Sequence, residues 1–535
     1  MDGGARRRGR AAHGARAVAG ELDGLPTVLS IDLGTGGPKV ALVALADGRV
    51  LDREREPVGL PVLPGGGVEQ SPVQWWHATA AACRRLTARA DGDAPAAVAV
   101  TAQWAGTVPV GADSEALSDA LIWMDARGAP FVRRAAGGPV RVAGYGPLRL
   151  ARWLRRTGGA PALSGRDPFG HILWLRHERP EVYDAAAVLL EPADWLGLCL
   201  TGRAATTAVT ATLHWLTDTR DLHRIRYDDG LLRAAGVDAA KLPELLPTNT
   251  VLAPLAPNAA EALGLAAGVP VVTGTPDTMS AAVGAGAVAD GAAHLYVGTS
   301  SWLSCHVDFK RTDPQHGIAS LPSALPGRYL VSDEQETAGA SLEKASALLG
   351  AGIDELLAEA ASVPPGAGRV LFAPWLNGER TPVDDHLVRG GWFNVGLDTT
   401  RAQLARATLE GVALNLRWMQ RPVERFAKRR LDPLAFVGGG ARSELWCQIM
   451  ADVLRREVRQ VADPVDANVR GAALLAGLAL GELRVEDIPG RVSVAASYRP
   501  RPETRATYDA LFEAFRGLYK STRRLYRRLN DRSAG

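Results

Sequence analysis

Ile31-Asp32-Leu33-Gly34-Thr35-Gly36-Gly37-Pro38-Lys39-Val40-Ala41-Leu42 has the pattern of a β-hairpin: an apolar strand, a turn of small residues and a second strand. The same plan recurs in Leu295-Tyr296-Val297-Gly298-Thr299-Ser300-Ser301-Trp302-Leu303-Ser304-Cys305. A turn of glycine and small hydroxyl residues leaves backbone N–H groups unpaired, so that a phosphate oxygen can accept from several of them. A single Gly-Thr turn is also explained by ordinary turn chemistry. The recurrence in both halves predicts a polyphosphate, and hence ATP, gripped by two hairpins.

Length and composition bound the class of protein. A chain of 535 residues is too long for one hydrophobic core, so we expect two large domains with a cleft between them. Hydrophobic residues make up 47% and charged residues 22%, and no apolar run approaches the roughly 20 residues of a membrane span. The basic excess lies at the two ends of the chain, which speaks against a nucleic-acid-binding surface.

The amino-terminal segment 1–26 reads as a disordered basic tail. Arg6-Arg7-Arg8-Gly9-Arg10 is followed by Ala and Gly, without the apolar core of a secretory signal. Its Arg-rich, acid-poor composition also leaves an organelle transit peptide open. The four cysteines are scattered, with no CxxC pair and no histidine at metal spacing. These features predict reduced packing cysteines in a cytoplasmic protein.

Strands and helices alternate along the chain, which predicts an α/β fold. Strands are expected at 27–31, 39–45, 97–101, 269–273 and 434–437, and helices at 72–89, 172–177, 193–200, 277–284 and 443–454. In the first helix, Trp76, Ala80, Cys83 and Leu86 recur at helical spacing. We place the domain boundary near Asp290, with domains 27–290 and 291–490.

The carboxyl-terminal segment 491–535 contains a predicted amphipathic helix. Its apolar stripe comprises Tyr508, Leu511, Phe512, Phe515, Leu518, Tyr519, Leu525, Tyr526 and Leu529, with arginines on the other side. A basic amphipathic helix can also bind a membrane surface. A stripe this rich in aromatic residues favours packing on the protein itself, so no membrane contact is expected.

These segments, in this order, resemble the FGGY family of carbohydrate kinases, and within it most closely the xylulokinase group, from Val28 to about Gly481. The matching motifs are Ile31-Asp32-Leu33-Gly34-Thr35 with Lys39, Glu69-Gln70-Ser71-Pro72, Trp75-Trp76, Ile122-Trp123-Met124-Asp125-Ala126-Arg127, Asp194-Trp195-Leu196, Thr201-Gly202, Asp277, Val297-Gly298-Thr299-Ser300, Asn377-Gly378-Glu379-Arg380-Thr381-Pro382, Leu409-Glu410-Gly411 and Gly438-Gly439-Gly440-Ala441-Arg442-Ser443-Glu444. The resemblance implies two actin-like, ribonuclease-H-like α/β domains that close an interdomain cleft over sugar and ATP. It leaves a homodimer open.

Asp277 is the candidate catalytic base. Phosphoryl transfer needs a positioned hydroxyl, a base for its proton and positive charge on the leaving polyphosphate. Pro276 suits the first turn of a helix, and an acid there faces the positive end of the helix dipole. The residues alone leave a helix-capping aspartate equally open. The resemblance implies the catalytic base, because the family's base occupies this motif position.

The resemblance also implies the metal and nucleotide ligands. Asp32 corresponds to the carboxylate that holds Mg²⁺ through water, a mode that suits a hard cation keeping part of its hydration shell. The residues implied for the nucleotide are Gly34, Thr35 and Lys39 at the β- and γ-phosphates, Gly298 and Thr299 in the second hairpin, Gly439, Gly440 and Ala441 at the adenosine, and Gly339 beside the pocket. From the residues alone, an exposed strand lysine is the other reading of Lys39.

The sugar-binding residues depart from the xylulokinase pattern. Those implied are Gln103, Trp104, Ala105, Asp277 and Thr278. The group's Gln-Met-His-Gly segment reads here Gln103-Trp104-Ala105-Gly106, without the histidine, and Thr278 stands where the group has Asn, as in rhamnulokinase and fuculokinase members. Trp104 offers either an aromatic face to a sugar or a filler for the histidine's volume.

The expected function is an ATP-dependent carbohydrate kinase that phosphorylates a hydroxyl of a small sugar, first of all a pentulose such as D-xylulose. The alternatives are another ketose, a methylpentulose or a polyol. A hypothesis of a different class is a catalytically silent, actin-like nucleotide-binding protein. The Asp32 and Asp277 pair favours catalysis, because a protein that only binds nucleotide needs no base.

Overall fold

The computed structural model describes residues 26–90, 94–314 and 316–530. They form two compact units. Unit 1 runs to Gly284 and also contains Leu321–Gly327 and Asn468–Arg491; unit 2 contains Ala285–Ser320, Arg328–Ala467 and the residues from Val492 on. The division at Gly284 lies close to the expected boundary, but residues 468–491 pack in unit 1 and not with the residues that precede them in the sequence. The expected tail, residues 1–26, lies outside the described residues except for Pro26.

Most α-helices start at a proline or a capping side chain, so their bounds follow from local sequence. They are α1 Pro72–Thr87, α2 Ala129–Ala136, α3 Pro147–Thr157, α4 Pro168–Glu178, α5 Pro180–Ala185, α6 Pro192–Thr201, α7 Asp229–Ala235, α8 Pro257–Leu263, α9 Asp277–Gly284, α10 Gly339–Leu349, α11 Ile353–Ala361, α12 Arg401–Ala427, α13 Glu444–Leu454, α14 Ala467–Ala479 and α15 Arg505–Asn530. The helix expected at 277–284 has those bounds, and the other four expected helices differ only at their ends.

Each unit is built on one mixed sheet. The sheet of unit 1 contains β1 Thr27–Gly34, β2 Gly37–Ala44, β3 Val50–Arg55, β4 Ala97–Ala102, β5 Val251–Pro254, β6 Pro270–Val272 and β7 Thr275–Pro276. The second sheet contains β8 Ala293–Val297, β9 Ser301–Val307, β10 Thr312–Asp313, β11 Ile318–Pro322, β12 Tyr329–Gln335, β13 Leu434–Val437, β14 Val458–Val461 and β15 Val494–Tyr498. Short ladders such as Leu371–Ala373 with Gly391–Phe393 complete the strands.

The two sheets share one plan. In unit 1 the order is β3-β2-β1-β4-β6-β5, with antiparallel pairs at β3/β2, β2/β1 and β6/β5 and parallel pairs at β1/β4 and β4/β6. In unit 2 the order β12-β9-β8-β13-β14-β15 has the same sequence of antiparallel and parallel pairs. The duplication expected from the two hairpins is therefore present in the pairing of the strands.

Helix α1 packs on the sheet of unit 1 by a face slightly rotated from the expected one. Trp75 is fully buried in one cluster with sheet residues such as Leu29 and Val98, whereas Trp76 is only half-buried. Cys83 and Leu86 are buried as expected, and all four cysteines are free thiols. The buried face of α1 therefore begins at Trp75, one residue before the predicted Trp76.

Helix α15 is buried over its first half only. Tyr508, Leu511, Phe512, Phe515 and Tyr519 are buried in unit 2, which agrees with a docked helix. The expectation was wrong at the far end, where Leu525 is 45% and Leu529 68% exposed. Across residues 26–90, 94–314 and 316–530, no helix combines the length and apolarity that crossing a bilayer requires.

Candidate functional site

The hairpin of unit 1 presents a two-residue turn with free amides. The register pairs Gly34 with Gly37, which leaves Thr35 and Gly36 between the strands. Gly37 has φ of +115°, and a Cβ there would lie 2.1 Å from the carbonyl oxygen of Glu56, so only glycine fits. The N–H groups of Thr35 and Gly36 have no hydrogen-bond partner within the described part of the chain. Free amides of this kind are what the sequence predicted for an anion.

Two buried glutamines fix the side chain of Thr35. Gln70 Nε2 donates to the carbonyl oxygens of Thr35 and Gly59, at 2.8 and 2.9 Å, so Gln70 Oε1 must be an acceptor. It accepts from Gln103 Nε2 at 2.9 Å, which turns Gln103 Oε1 toward the Thr35 hydroxyl, 3.0 Å away. Trp123 Nε1 donates to the same hydroxyl at 3.0 Å. The Thr35 hydroxyl proton is therefore committed to Gln103.

Gln103, which was predicted to bind the sugar, uses its carboxamide in this network. Gln103 is only 3% exposed, and its carboxamide joins the hairpin to Gln70. The network joins four separate segments of the sequence, at Thr35, Gln70, Gln103 and Trp123. The sequence analysis included the motifs around Gln70 and Trp123 but gave these two residues no role. Gln103 thus positions the hairpin, and sequence reasoning missed Gln70 and Trp123.

A row of charged residues crosses the sheet beside the turn. Asp32 lies opposite Lys39, and Lys39 lies opposite Arg55, so the three side chains share one face. Burial raises the pKa of the Asp32 carboxyl, against the opposing effects of Lys39, Asn468 and Arg55. Burial also lowers the pKa of Lys39, and Asp32 opposes this shift. The Asn468 amide nitrogen lies 3.5 Å from Asp32 Oδ1. The buried carboxylate is thus only partly compensated by its neighbours.

Asp277 is the first residue of α9, directly after the short strand β7. Strand β7 pairs with β4, next to β1, which places the start of α9 at the same end of the sheet as Asp32. Asp277 is half-buried, and its Oδ1 accepts from the Thr278 amide at 2.7 Å and from the Thr278 hydroxyl at 3.3 Å. Thr278, a predicted sugar ligand, is only 5% exposed and makes these bonds to Asp277.

Helix α14 holds α9 in place. A Cβ at Gly471 would lie 1.8 Å from the carbonyl oxygen of Ser280, so the two helices cross with their backbones in close contact. Asn468, near the start of α14, reaches Asp32. The return of the chain to unit 1 therefore supports both candidate carboxylates, a contribution from distant sequence that local motifs do not reveal.

The segment Gln103-Trp104-Ala105-Gly106 is held in a tight conformation. Ala105 has φ of +63°, which is uncommon for a residue with a Cβ. Gly106 donates its N–H to Glu191 Oε2 at 2.9 Å, and a Cβ at Gly106 would lie 2.5 Å from Pro192 Cγ. The Trp104 indole N–H donates to the carbonyl oxygen of Thr210 at 3.0 Å, which fixes the half-buried ring. Trp104 is thus oriented by its own hydrogen bond.

Titratable groups to which the sequence analysis assigned no role lie buried behind this segment. Burial raises the pKa of Glu191 well above its ordinary value of 4.5 and raises that of Asp194 to about 8. It also lowers the pKa of His171 and His214 to about 4. At neutral pH both histidines are therefore uncharged. No metal-binding motif marked these residues, and their proximity is a product of tertiary structure.

The hairpin of unit 2 repeats the free amides of the first. Val297 pairs with Ser301, and the N–H groups of Thr299 and Ser300 have no partner among the residues described. The carbonyl oxygen of Gly298 accepts from the Gly339 amide at 2.8 Å. A Cβ at Gly339 would lie 2.3 Å from that oxygen, so glycine at 339 lets α10 approach the turn. The structure thus brings together Gly298, Thr299 and Gly339, three of the residues predicted to bind the nucleotide.

The glycine turn after β13 is only partly open. Gly439 is exposed, and a Cβ there would meet nothing within 4 Å. A Cβ at Gly440 would lie 2.7 Å from Val297 Cγ1, and Ala441 is fully buried with its carbonyl oxygen 2.7 Å from Gln460 Nε2. Of the three predicted adenosine residues, only Gly439 presents an open surface. The other two shape the turn.

Asp32 fits a hydrated divalent cation better than a directly coordinated one. The described part of the chain contains no cluster of three or more His, Cys, Asp or Glu side chains arranged for a metal. A single buried carboxylate whose charge is undercompensated suits Mg²⁺ that keeps most of its waters and binds the substrate phosphates.

The sequence comparisons place this geometry in a family. Residues 27–284 match the FGGY family of carbohydrate kinases, N-terminal domain, and residues 295–480 match the C-terminal domain. The chain belongs to the FGGY family of carbohydrate kinases. The resemblance and the two-domain, actin-like fold expected from the motifs are thereby confirmed.

Several FGGY kinases are similar over nearly their whole length. The xylulose kinase of Escherichia coli (strain K12) is 29% identical over 496 residues, covering 92% of this chain and 98% of the relative. The gluconokinase of Bacillus subtilis (strain 168) is 24% identical over 523 residues, covering 95% and 98%. The crystal structure of xylulose kinase from Rhodospirillum rubrum has a TM-score of 0.78 at 27% identity, covering 94% of this chain and 99% of that one.

Proposed function

We propose that the protein is an ATP- and Mg²⁺-dependent kinase of a small sugar, with D-xylulose as the first candidate substrate. The observation that carries the proposal is the position of Asp277, a half-buried carboxylate at the first residue of α9, at the same end of the sheet as Asp32 and Lys39. Two hairpins, one in each unit, offer free amides of the kind that bind phosphate oxygens.

In this mechanism Asp277 accepts the proton of the acceptor hydroxyl. The hydroxyl oxygen then forms a bond to the terminal phosphorus of ATP, the bond to the bridging oxygen breaks, and ADP leaves. Hydrogen bonds from the Thr278 amide and hydroxyl to Asp277 Oδ1 hold the carboxylate in place. The Lys39 ammonium and the amides of Thr35 and Gly36 stabilise the negative charge on the transferred group.

Asp32 is the residue that would hold Mg²⁺, through water. A cation there would compensate a carboxylate whose charge burial disfavours. Bound Mg²⁺ would neutralise part of the polyphosphate charge. Thr35 would contact a phosphate through its N–H group, because its hydroxyl proton is committed to Gln103.

The names of the relatives suggest the substrate, and the residues of the segment 103–106 differ from those of the xylulokinase group. Xylulose kinase is the name of the two relatives at 27% and 29% identity, and a gluconokinase is also similar. Trp104 and Ala105 stand where the xylulokinase group has Met and His, so one polar partner for a substrate hydroxyl is missing. Another ketose, a methylpentulose or a polyol is therefore the alternative.

The test is ADP formation with D-xylulose, other ketoses, methylpentuloses, polyols and gluconate, each with Mg²⁺ and ATP. We expect one class to be phosphorylated, and Asp277→Asn to lower kcat by about 10²-fold or more. Asp229→Asn is the matched control, because Asp229 is also the first residue of a helix, α7, and is exposed. It should leave kcat unchanged.

Two results would reject the mechanism. One is an Asp277→Asn variant as active as the parent; the other is equal loss in Asp229→Asn, which would indicate a general effect on folding. If ATP binds but no compound in the panel is phosphorylated, the silent nucleotide-binding protein is the better description.

A further inference from the structure

A strongly cationic cavity lies in unit 2. Its volume is about 810 Å³, and it is lined by the end of α12, the residues that follow that helix, Pro382, Arg456, and Arg516 from α15. Seven of its lining side chains are Arg or Lys and one, Glu424, is a carboxylate. The cavity shares no lining residue with the predicted nucleotide site.

Glu424, the one carboxylate among the residues lining the cavity, already has an ion-pair partner. Glu424 makes a two-pronged salt bridge to Arg456, with N–O distances of 2.6 and 2.8 Å, and also accepts from the Leu431 amide at 2.9 Å. Arg429 and Arg430 pair with Asp290 and Asp432, which are not among the lining residues. These pairs use the nearby carboxylates and do not include Arg421, Arg425 or Lys428.

Arg421, Arg425 and Lys428 form no ion pair with any residue in the described ranges. Arg425 Nη2 lies 3.4 Å from His316 Nε2, and Arg421 lies over the Phe512 ring, 5.2 Å from its centroid. Arg516 Nε is buried without a hydrogen-bond partner, and Arg516 Nη1 is 3.6 Å from exposed Glu513. Three cations that line the same cavity thus have no carboxylate partner among the described residues.

Helix electrostatics explain only part of this arrangement. The carbonyl groups at the end of α12 favour cations in its last turn, which accounts for Arg425 and Lys428. Arg421 lies before that last turn, and Arg516 belongs to α15. Cations brought together from two helices repel one another, so a bound anion would stabilise the cavity.

We propose that this cavity binds a small, multiply charged phosphate anion at a site distinct from the proposed sugar and ATP site. Guanidinium groups match phosphate geometry with two parallel hydrogen bonds, and arginines supply most of the charge here. The volume lies within the roughly 300 to 1,000 Å³ of ligand sites. Trp418 also lines the cavity and offers an optical signal for binding.

The test is calorimetric titration of the full chain with pyrophosphate at constant ionic strength. We expect Arg421→Ala/Arg425→Ala to weaken this binding by at least tenfold. The control Arg524→Ala/Arg527→Ala removes the same charge from exposed positions on α15 outside the cavity and should bind as the parent does. Lys39→Ala, which alters the proposed ATP site, should retain the cavity binding.

Further measurements keep the outcome decisive. The fluorescence change on titration should be smaller in Trp418→Phe, and orthophosphate should bind more weakly than pyrophosphate. If the double cavity variant does not fold, Lys428→Glu, at an exposed position, tests the same charge. Equal binding by the cavity variants and the parent, equal loss in the control, complete loss in Lys39→Ala, or an equal effect of sulfate would each overturn the proposal. None of these results depends on phosphoryl transfer.

Discussion

At the scale of single residues, the Thr35 hydroxyl shows how strictly a hydrogen-bond inventory can fix a site. Trp123 Nε1 can only donate, and Gln70 is oriented by two carbonyl oxygens, so each bond determines the next. The hydroxyl accepts from Trp123 and donates to Gln103. A serine at 35 would preserve this arrangement, whereas an apolar residue of the same shape would not.

Thr35→Val should therefore lower the free energy of unfolding by about 1 to 3 kcal/mol, because Gln103 Oε1 and Trp123 Nε1 lose their partner. Urea denaturation measures the change. Thr35→Ser is the matched control and should fall within about 1 kcal/mol of the parent, because it keeps the hydroxyl. A valine variant as stable as the parent would show that this network contributes nothing.

Asp194 gives the protein a defined pH dependence. Burial raises the pKa of its carboxyl from an ordinary 3.8 to about 8, and its Oδ2 has no hydrogen-bond partner among the described residues. The folded protein then holds a proton that the unfolded chain releases above pH 3.8. The protonated Asp194 carboxyl therefore adds to the free energy of unfolding. This contribution is complete below pH 3.8 and is lost as pH rises through about 8.

Asp194→Asn removes the titration, so the variant should lose less stability than the parent between pH 5 and pH 8. Thermal melts at several pH values measure this difference. Parallel curves for the two proteins would mean that Asp194 does not carry the proton.

Local sequence predicted the parts of the site that depend on local chemistry. The hairpin at 34–37 and the start of α9 at Asp277 follow from small turn residues and from Pro276. The partners of Gln103 could not be predicted, because Gln70, Trp123 and Thr35 reach it from three other segments. Periodicity alone also could not distinguish Trp75 from Trp76, because apolar residues follow both tryptophans at helical spacing.

At the scale of elements, the space around a glycine distinguishes one that is needed for packing from one that is open to a ligand. Gly339 is where α10 meets the second hairpin, and an added Cβ would lie 2.3 Å from a backbone oxygen. Gly439 sits in the turn after β13 with nothing within 4 Å of an added Cβ. The first glycine is required by the fold, and the second is available to a ligand.

We expect Gly339→Ala to destabilise the protein by about 1 to 3 kcal/mol, because hairpin and helix must move apart. Gly439→Ala should stay within about 0.5 kcal/mol of the parent. A bulkier Gly439→Leu should raise the KM for ATP while leaving the melting temperature nearly unchanged. An unaltered KM in this variant would remove Gly439 from the proposed adenosine site.

At the scale of the whole molecule, the last helix is divided into a structural half and a dispensable half. A chain that ends at Lys520 keeps Tyr508, Phe512, Phe515 and Tyr519, all of them buried. A chain that ends at Thr504 loses all four, each worth about 1.5 to 3 kcal/mol of burial for a large side chain. The shorter chain should therefore not fold its second unit, whereas the longer one should.

Circular dichroism melts and limited proteolysis distinguish the two truncations. The chain ending at Lys520 should melt cooperatively like the parent, because Leu525 and Leu529 are largely exposed. If both truncated chains melt like the parent, α15 adds little to the stability of unit 2.

The path of the backbone determines the order in which the parts of unit 1 are synthesised. Translation proceeds at roughly 5 to 20 residues per second, and domains generally form as they emerge. Here Asn468 and Gly471, which contact Asp32 and α9, are made only after the part of unit 2 that ends at Ala467. A ribosome that stalls between the two units would release a first unit without α14, the helix that braces the proposed base, so unit 1 is completed only late in translation.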